Sequence, residues 1–294
     1  MRNATYAMRD KDPPQAGKRG FSLAHLTILG SPPPEATYIA ARAGYDYVSL
    51  RTISMGLPDE TNYSLAGNPT MRRETKAAFV KTGIRGLDVE LARIVEGVDV
   101  KSYIPELEAA AELDIRQVTC SVWTEDRKYA SDSLAELCGL AGKIGLTINL
   151  EFPTWTSVST LQDAAKMIRE VNQSNCGLLV DTLHFNRSRV RLEELDAIPP
   201  AWFHMIHFCD APAEIPSKKE ELIYTARQAR LDPGEGGIDL AAIVNRIPEV
   251  PFSLEIPNLA RVKSMGYTEH ARLCLANAKK YLASHPREAQ SSNR

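Results

Sequence analysis

Four short apolar runs in the second half of the chain each contain a residue able to bind a cation or move a proton. Glu151 stands in NLEF, Asp181 and His184 in LLVDTLH, His207 and Asp210 in MIHFCD, and Glu255 in SLEI. Earlier runs contain or end on His25, Arg51, Glu90 and Trp123. One such carboxylate carries little information, because Asp and Glu also cap helices and pair with Arg. Several converging on one point carry a desolvation cost unless a cation or protons neutralise them. Three carboxylates with a neutral imidazole make an oxygen- and nitrogen-donor site suited to Mn²⁺, Mg²⁺ or Co²⁺. Zn²⁺ is less favoured without thiolates.

Convergence requires elements that bring the runs together. Eight apolar, β-branched runs recur: Phe21–Leu29, Tyr45–Arg51, Ile84–Leu91, Ile115–Trp123, Leu146–Phe152, Gly177–Phe185, Trp202–Asp210 and Pro251–Ile256. Helical periodicity and Ala/Leu/Glu content fill Glu35–Ala43, Tyr103–Leu113, Ser133–Ile144, Leu161–Val171 and Glu269–Leu282. Strands alternating with helices predict βαβ units on a parallel sheet, and eight units predict a single (β/α)8 TIM barrel of the α/β class. A doubly wound open sheet would place a glycine-rich turn after its first strand, but that segment reads Gly30-Ser31-Pro32-Pro33-Pro34. The two longest gaps predict loop insertions after the second and seventh strands. The domain is expected over 21–284, with a flexible N-terminal segment 1–20 and a polar tail 285–294. In a barrel the chemistry sits at the carboxyl ends of the strands, where these polar residues fall.

Composition narrows the class. The 294 residues carry 35 Lys+Arg against 37 Asp+Glu, with 44% hydrophobic and 24% charged residues, as in a globular protein. A net charge of −2 removes the electrostatic signature of nucleic-acid or membrane-surface binding. The five cysteines are widely spaced with no CxxC pair, which reads as buried free thiols. The first twenty residues lack an apolar signal core, and no run is long enough to span a bilayer, so a cytoplasmic location is expected.

The residues together resemble the xylose-isomerase-like TIM barrels. This sugar phosphate isomerase/epimerase superfamily includes tagatose-type 3-epimerases, hydroxypyruvate isomerases, and inosose and dehydroshikimate dehydratases. The resemblance implies one divalent metal ion held by Glu151, Asp181, His207 and Glu255. It matches His184 to the family's DxxH histidine, which contacts substrate, and Arg230 through Asp239 to an R-x-x-P-G-x-G-x-I-D loop after the seventh strand. The related AP endonucleases need additional histidines at the second and third strand ends and a D-x-H after the seventh. Here those strand ends carry Arg51 and Glu90, and Cys209–Asp239 contains no histidine.

The resemblance implies abstraction of a proton next to a carbonyl of a small polyhydroxylated substrate, through a metal-stabilised enediolate, giving isomerisation or epimerisation. Glu151 and Glu255 would remove and return the proton, with His184 as a further catalytic residue. Arg230 is expected to anchor a substrate carboxylate, phosphate or hydroxyl, and to matter for substrate affinity more than for metal content. Glu90, His25, Arg51 and Trp123 are candidate substrate contacts, and Trp155 is open between stacking and packing. Asp210 is expected to orient a site residue or loop, Cys209 to pack near the site, and His204 and His285 to be structural and surface residues. A dehydratase of the inosose or dehydroshikimate type is the rival reading, and a non-catalytic sugar-binding protein a third. A homo-oligomer is compatible with this reading.

Overall fold

The computed structural model describes residues 20–55 and 60–287. Eight parallel strands close into a barrel in sequence order, β1 pairing with both β2 and β8. They are β1 (Phe21–Leu23), β2 (Tyr47–Arg51), β3 (Arg85–Ile94), β4 (Gln117–Val122), β5 (Thr147–Glu151), β6 (Cys176–Asp181), β7 (Phe203–His207) and β8 (Phe252–Leu254). The helices among the described residues are α1 (Pro33–Ala43), α2 (Pro69–Thr82), α3 (Ile104–Glu112), α4 (Arg127–Lys143), α5 (Leu161–Val171), α6 (Thr182–Arg187), α7 (Lys219–Gln228), α8 (Leu240–Arg246) and α9 (Leu259–Ser284). None is long and apolar enough to cross a membrane. Of the expected segment 1–20 only Gly20 is described, and of the tail 285–294 only residues 285–287.

Strand register sets the site. Glu151 pairs with Leu179 and Asp181 with His207, so the carboxyl ends of β5, β6 and β7 finish at nearly one level. Outside the barrel, apolar residues of the strands pack on buried helix faces such as Leu161, Ala164, Ala165 and Ile168 of α5. Inside it, the packing is mixed. Leu87, Leu179 and Met205 form a small apolar plug, while Asn149 links His204 (2.8 Å) and Gln117 (3.0 Å). Ser49 bridges Ser22 (3.0 Å) and Ser253 (3.2 Å) across β1, β2 and β8.

Three expected strands run too far. The first run stops at Leu23, and His25–Ile28 instead form a 3₁₀ turn stitched to the end of β8. There the Thr27 hydroxyl donates to Leu254 O (2.8 Å) and accepts from Ile256 N (2.7 Å). The sixth ends at Asp181, whose side chain caps α6, and the seventh ends at His207. The two expected loop insertions contain helices: α2 follows β2, and α7 precedes α8 after β7. All five cysteines are buried free thiols.

Candidate metal centre

Asp181 shows how local folding builds the site. Its Oδ1 accepts from the amides of Leu183 (2.7 Å) and His184 (3.2 Å), capping the N-terminus of α6. That use of one oxygen turns the other, Oδ2, toward the barrel axis. There His207 Nδ1 faces three carboxylates: Glu151 Oε1 at 3.3 Å, Glu255 Oε2 at 3.5 Å and Asp181 Oδ2 at 3.7 Å. All four side chains are buried, and their donor atoms lie within 4.8 Å of one another. Donors about 2.1–2.2 Å from a shared ion, at octahedral or tetrahedral angles, stand roughly 3.0–3.6 Å apart. The cluster is able to hold a divalent ion.

Its electrostatics are those of crowded carboxylates. Burial acts to lower the pKa of His207, but Glu255, Asp181 and Glu151 outweigh it and hold the imidazole well above its usual value. Burial raises Glu255 to about 7, against the pull of His207 and Arg230. At Asp181 burial is overcome chiefly by Arg230, and the carboxyl stays well below its usual range. Arg230 is fully enclosed, donating from Nη1 to Asp181 Oδ2 (2.6 Å) and from Nη2 to Glu255 Oε2 (2.6 Å). Its Nε donates to Ala226 O (2.8 Å), and Nη1 also reaches Cys209 Sγ (3.2 Å). The sulfur therefore touches the arginine, and the arginine ties two members of the cluster together.

The cluster opens into a cavity of about 300 Å³. Glu151, Glu255, His184, Arg230, Glu90, Arg51 and Trp123 all line it, so the structure brings together every expected site residue except His25, which is buried beside Glu90. His184 Nδ1 lies 3.4 Å from the Thr154 amide and 3.2 Å from the Thr154 hydroxyl, and the ring meets Trp155 edge-on at 4.9 Å. Accepting an N–H at Nδ1 places the proton of the neutral ring on Nε2. Burial lowers the His184 pKa and keeps the ring neutral, despite Asp181 and Glu151. Arg51 donates to Glu90 Oε2 (2.9 Å), while Glu90 Oε1, Arg51 Nε, Trp155 Nε1 and both ring nitrogens of His25 have no hydrogen-bond partner among the described residues. Burial pushes His25 down to about 4.

Other expectations find definite places. Asp210 accepts from the amides of Gly234 (3.0 Å), Gly236 (3.0 Å) and Ile238 (3.1 Å), so it holds the loop that follows Arg230. Trp155 lines the cavity, as does Arg227 of α7, which the sequence reading passed over. The signal for Arg227 would have been α7 itself. That helix carries Lys219, Glu220 and Glu221 in its first turn and buries only Ala226, too little apolar surface to show a period.

A closed parallel barrel with a buried carboxylate–histidine cluster at the carboxyl ends of four strands defines a metal-binding TIM-barrel enzyme. The family profile for the xylose isomerase-like TIM barrel matches residues 38–277, and the chain belongs to that family. The inosose isomerase of Bacillus subtilis is 30% identical over 132 residues, which make up 44% of this chain and 45% of that protein. The inosose isomerase of Bacillus velezensis is 26% identical over 234 residues, 73% of this chain and 78% of that protein. A 3-dehydroshikimate dehydratase of Pseudomonas aeruginosa is 26% identical over 254 residues, 81% of this chain and 38% of that protein. Among solved structures, the IOLI protein with a bound zinc atom superimposes with a TM-score of 0.75, covering 90% of this chain and 99% of its own at 20% identity, which shows a shared fold. Family membership and the buried cluster together support metal-dependent enzymatic activity.

Proposed function

We propose that the protein is a divalent-metal-dependent isomerase or epimerase of a sugar or related polyhydroxy carbonyl compound, acting by proton abstraction next to the carbonyl. The observation that carries this reading is the pair of glutamates, Glu151 on β5 and Glu255 beyond β8. Both line one cavity, with His207 and Asp181 between them. A divalent ion, Mn²⁺ or Mg²⁺ for this oxygen-rich donor set, supplies Lewis-acid polarisation of a carbonyl when bound. Glu151 turns Oε1 to His207 and Glu255 turns Oε2, which leaves Oε2 of Glu151 and Oε1 of Glu255 to take or return a proton. Neutral His184 donates from Nε2 to a substrate oxygen. Trp123 and Trp155 wall the cavity for the face of a sugar. The unpartnered atoms of Glu90 and Arg51, which line the cavity, suit substrate hydroxyls, and Arg230 has one Nη2 hydrogen left for the same purpose.

The relation to a 3-dehydroshikimate dehydratase over 81% of this chain favours a second reading, loss of a β-hydroxyl after the same abstraction. Proton NMR of a cyclic polyhydroxy ketone in deuterated buffer separates the two: exchange without loss of water, or loss of water. In the metal-loaded Glu151→Gln variant we expect exchange to fall by roughly 10²–10⁴-fold. Exchange at the wild-type rate would make Glu151 a ligand only and move the base to His184 or Glu90.

A further inference from the structure

Among the described residues Arg227 is the uncommitted cation of the cavity. It stands in the last turn of α7, half-buried, and lines the cavity with Ala226 and Gln228 on either side. The neighbouring guanidiniums are occupied. Arg51 is paired to Glu90, Arg230 to Asp181 and Glu255, and Arg93 donates to Met55 O and lies over Trp123. Among the described residues Arg227 has no hydrogen bond and no ion pair. Its surroundings are themselves cationic: burial and then the charges of Arg51 and Arg93 all lower its pKa, and no carboxylate among the described residues acts against them. A partly desolvated guanidinium facing two like charges costs free energy until an anion joins it.

We propose that Arg227 is a specificity residue that binds an oxyanion on the substrate, so that the cavity takes a polyhydroxy carbonyl compound bearing a carboxylate or a phosphate rather than a neutral sugar. The planar fork of a guanidinium matches two oxygens of either group at once. The cavity, about 300 Å³, has room for one monosaccharide-sized molecule reaching both the cluster and Arg227. Arg230, the arginine the sequence singled out for this task, spends most of its donors on Asp181, Glu255 and Ala226. Arg227, three residues earlier, has all of its donors free among the described residues. The proposal deepens the reading above only in that it rests on the same cavity receiving the substrate.

The test uses unreactive probes of one chain length: D-glucitol, D-gluconate and D-glucitol 6-phosphate, titrated calorimetrically into Mg²⁺-loaded protein. We expect one of the two anions to bind roughly 10- to 100-fold more tightly than D-glucitol at low salt, the worth of a charge-assisted hydrogen-bond pair. The anion that shows the preference identifies carboxylate or phosphate. Arg227→Gln should bring the preference to within about threefold while leaving D-glucitol affinity and metal content unchanged, and Arg227→Lys should restore part of it. Equal binding of all three probes, or a preference that survives in Arg227→Gln because the anion sits on the metal, overturns the assignment. No turnover is involved, so this failure is distinct from absence of deuterium exchange, which would count against the isomerase reading instead.

Discussion

At the scale of single residues, the site is held together by Arg230 as much as by its metal-ligating candidates. Three carboxylates around one imidazole repel one another, and Arg230 contacts two of them at 2.6 Å within a fully buried setting. Removing one partner of such a network leaves charge uncompensated and costs about 3–5 kcal/mol. Arg230→Gln is therefore expected to destabilise the metal-free protein by about that amount in urea titrations. Because a bound ion supplies the missing positive charge, the stability gained on adding Mn²⁺ should be larger in Arg230→Gln than in the wild type. Equal gains would show that Arg230 does not share the work of neutralising the cluster. The sequence pattern placed Arg230 at the site but suggested a substrate anchor. The ion pairs to Asp181 and Glu255 are long-range contacts that residue spacing along the chain does not reveal.

At the scale of elements, the loop after β7 is organised from one carboxylate. Asp210 gathers the amides of Gly234, Gly236 and Ile238, and a Cβ on Gly236 would overlap Ala211 O and Asp210 Oδ1. This gives the P-G-x-G pattern its physical reason: the chain wraps a buried side chain too closely for a substituent. The antiparallel bridge between Asp210 and Leu231 then fixes the position of Arg230 next to it. Asp210→Ala leaves those amides without their acceptor, at about 1–3 kcal/mol for the buried Ile238 amide and less for the part-buried amides of Gly234 and Gly236. Hydrogen exchange of residues 231–238 should accelerate, with the amides of β5 and β6 unchanged. Unaltered exchange in the loop would mean that its shape is set elsewhere. Helix bounds were legible in α5, where expected and observed bounds coincide, but α4 and α9 begin six and ten residues before the expected Ser133 and Glu269, and α2 was not among the expected helices. Bounds were not legible at Asp181, where LLVDTLHF is apolar on both sides of the turn. Leu183 and Phe185 are buried on α6 as fully as they would be on a strand, so four residues carry no period to separate the two.

At the scale of the whole molecule, the barrel collects the cluster from β5, β6, β7 and the residue beyond β8, spanning Glu151 to Glu255 in sequence. The closed barrel followed from eight alternating segments, whereas the four candidate ligands were singled out from the longer set of run-end residues by the family resemblance. Bound metal ties four consecutive strands and stabilises the folded state by mass action, roughly 2.7 kcal/mol at a hundredfold excess over Kd. The central claim is that these side chains hold one divalent ion, and metal stoichiometry tests it most directly. Equilibrium dialysis of chelator-stripped protein against Mn²⁺ should give one ion per chain, with a rise in Tm of roughly 4 °C at a hundredfold excess over Kd. The His207→Ala variant should retain almost none. Failure of the wild type to bind, or undiminished binding by His207→Ala, would contradict the account.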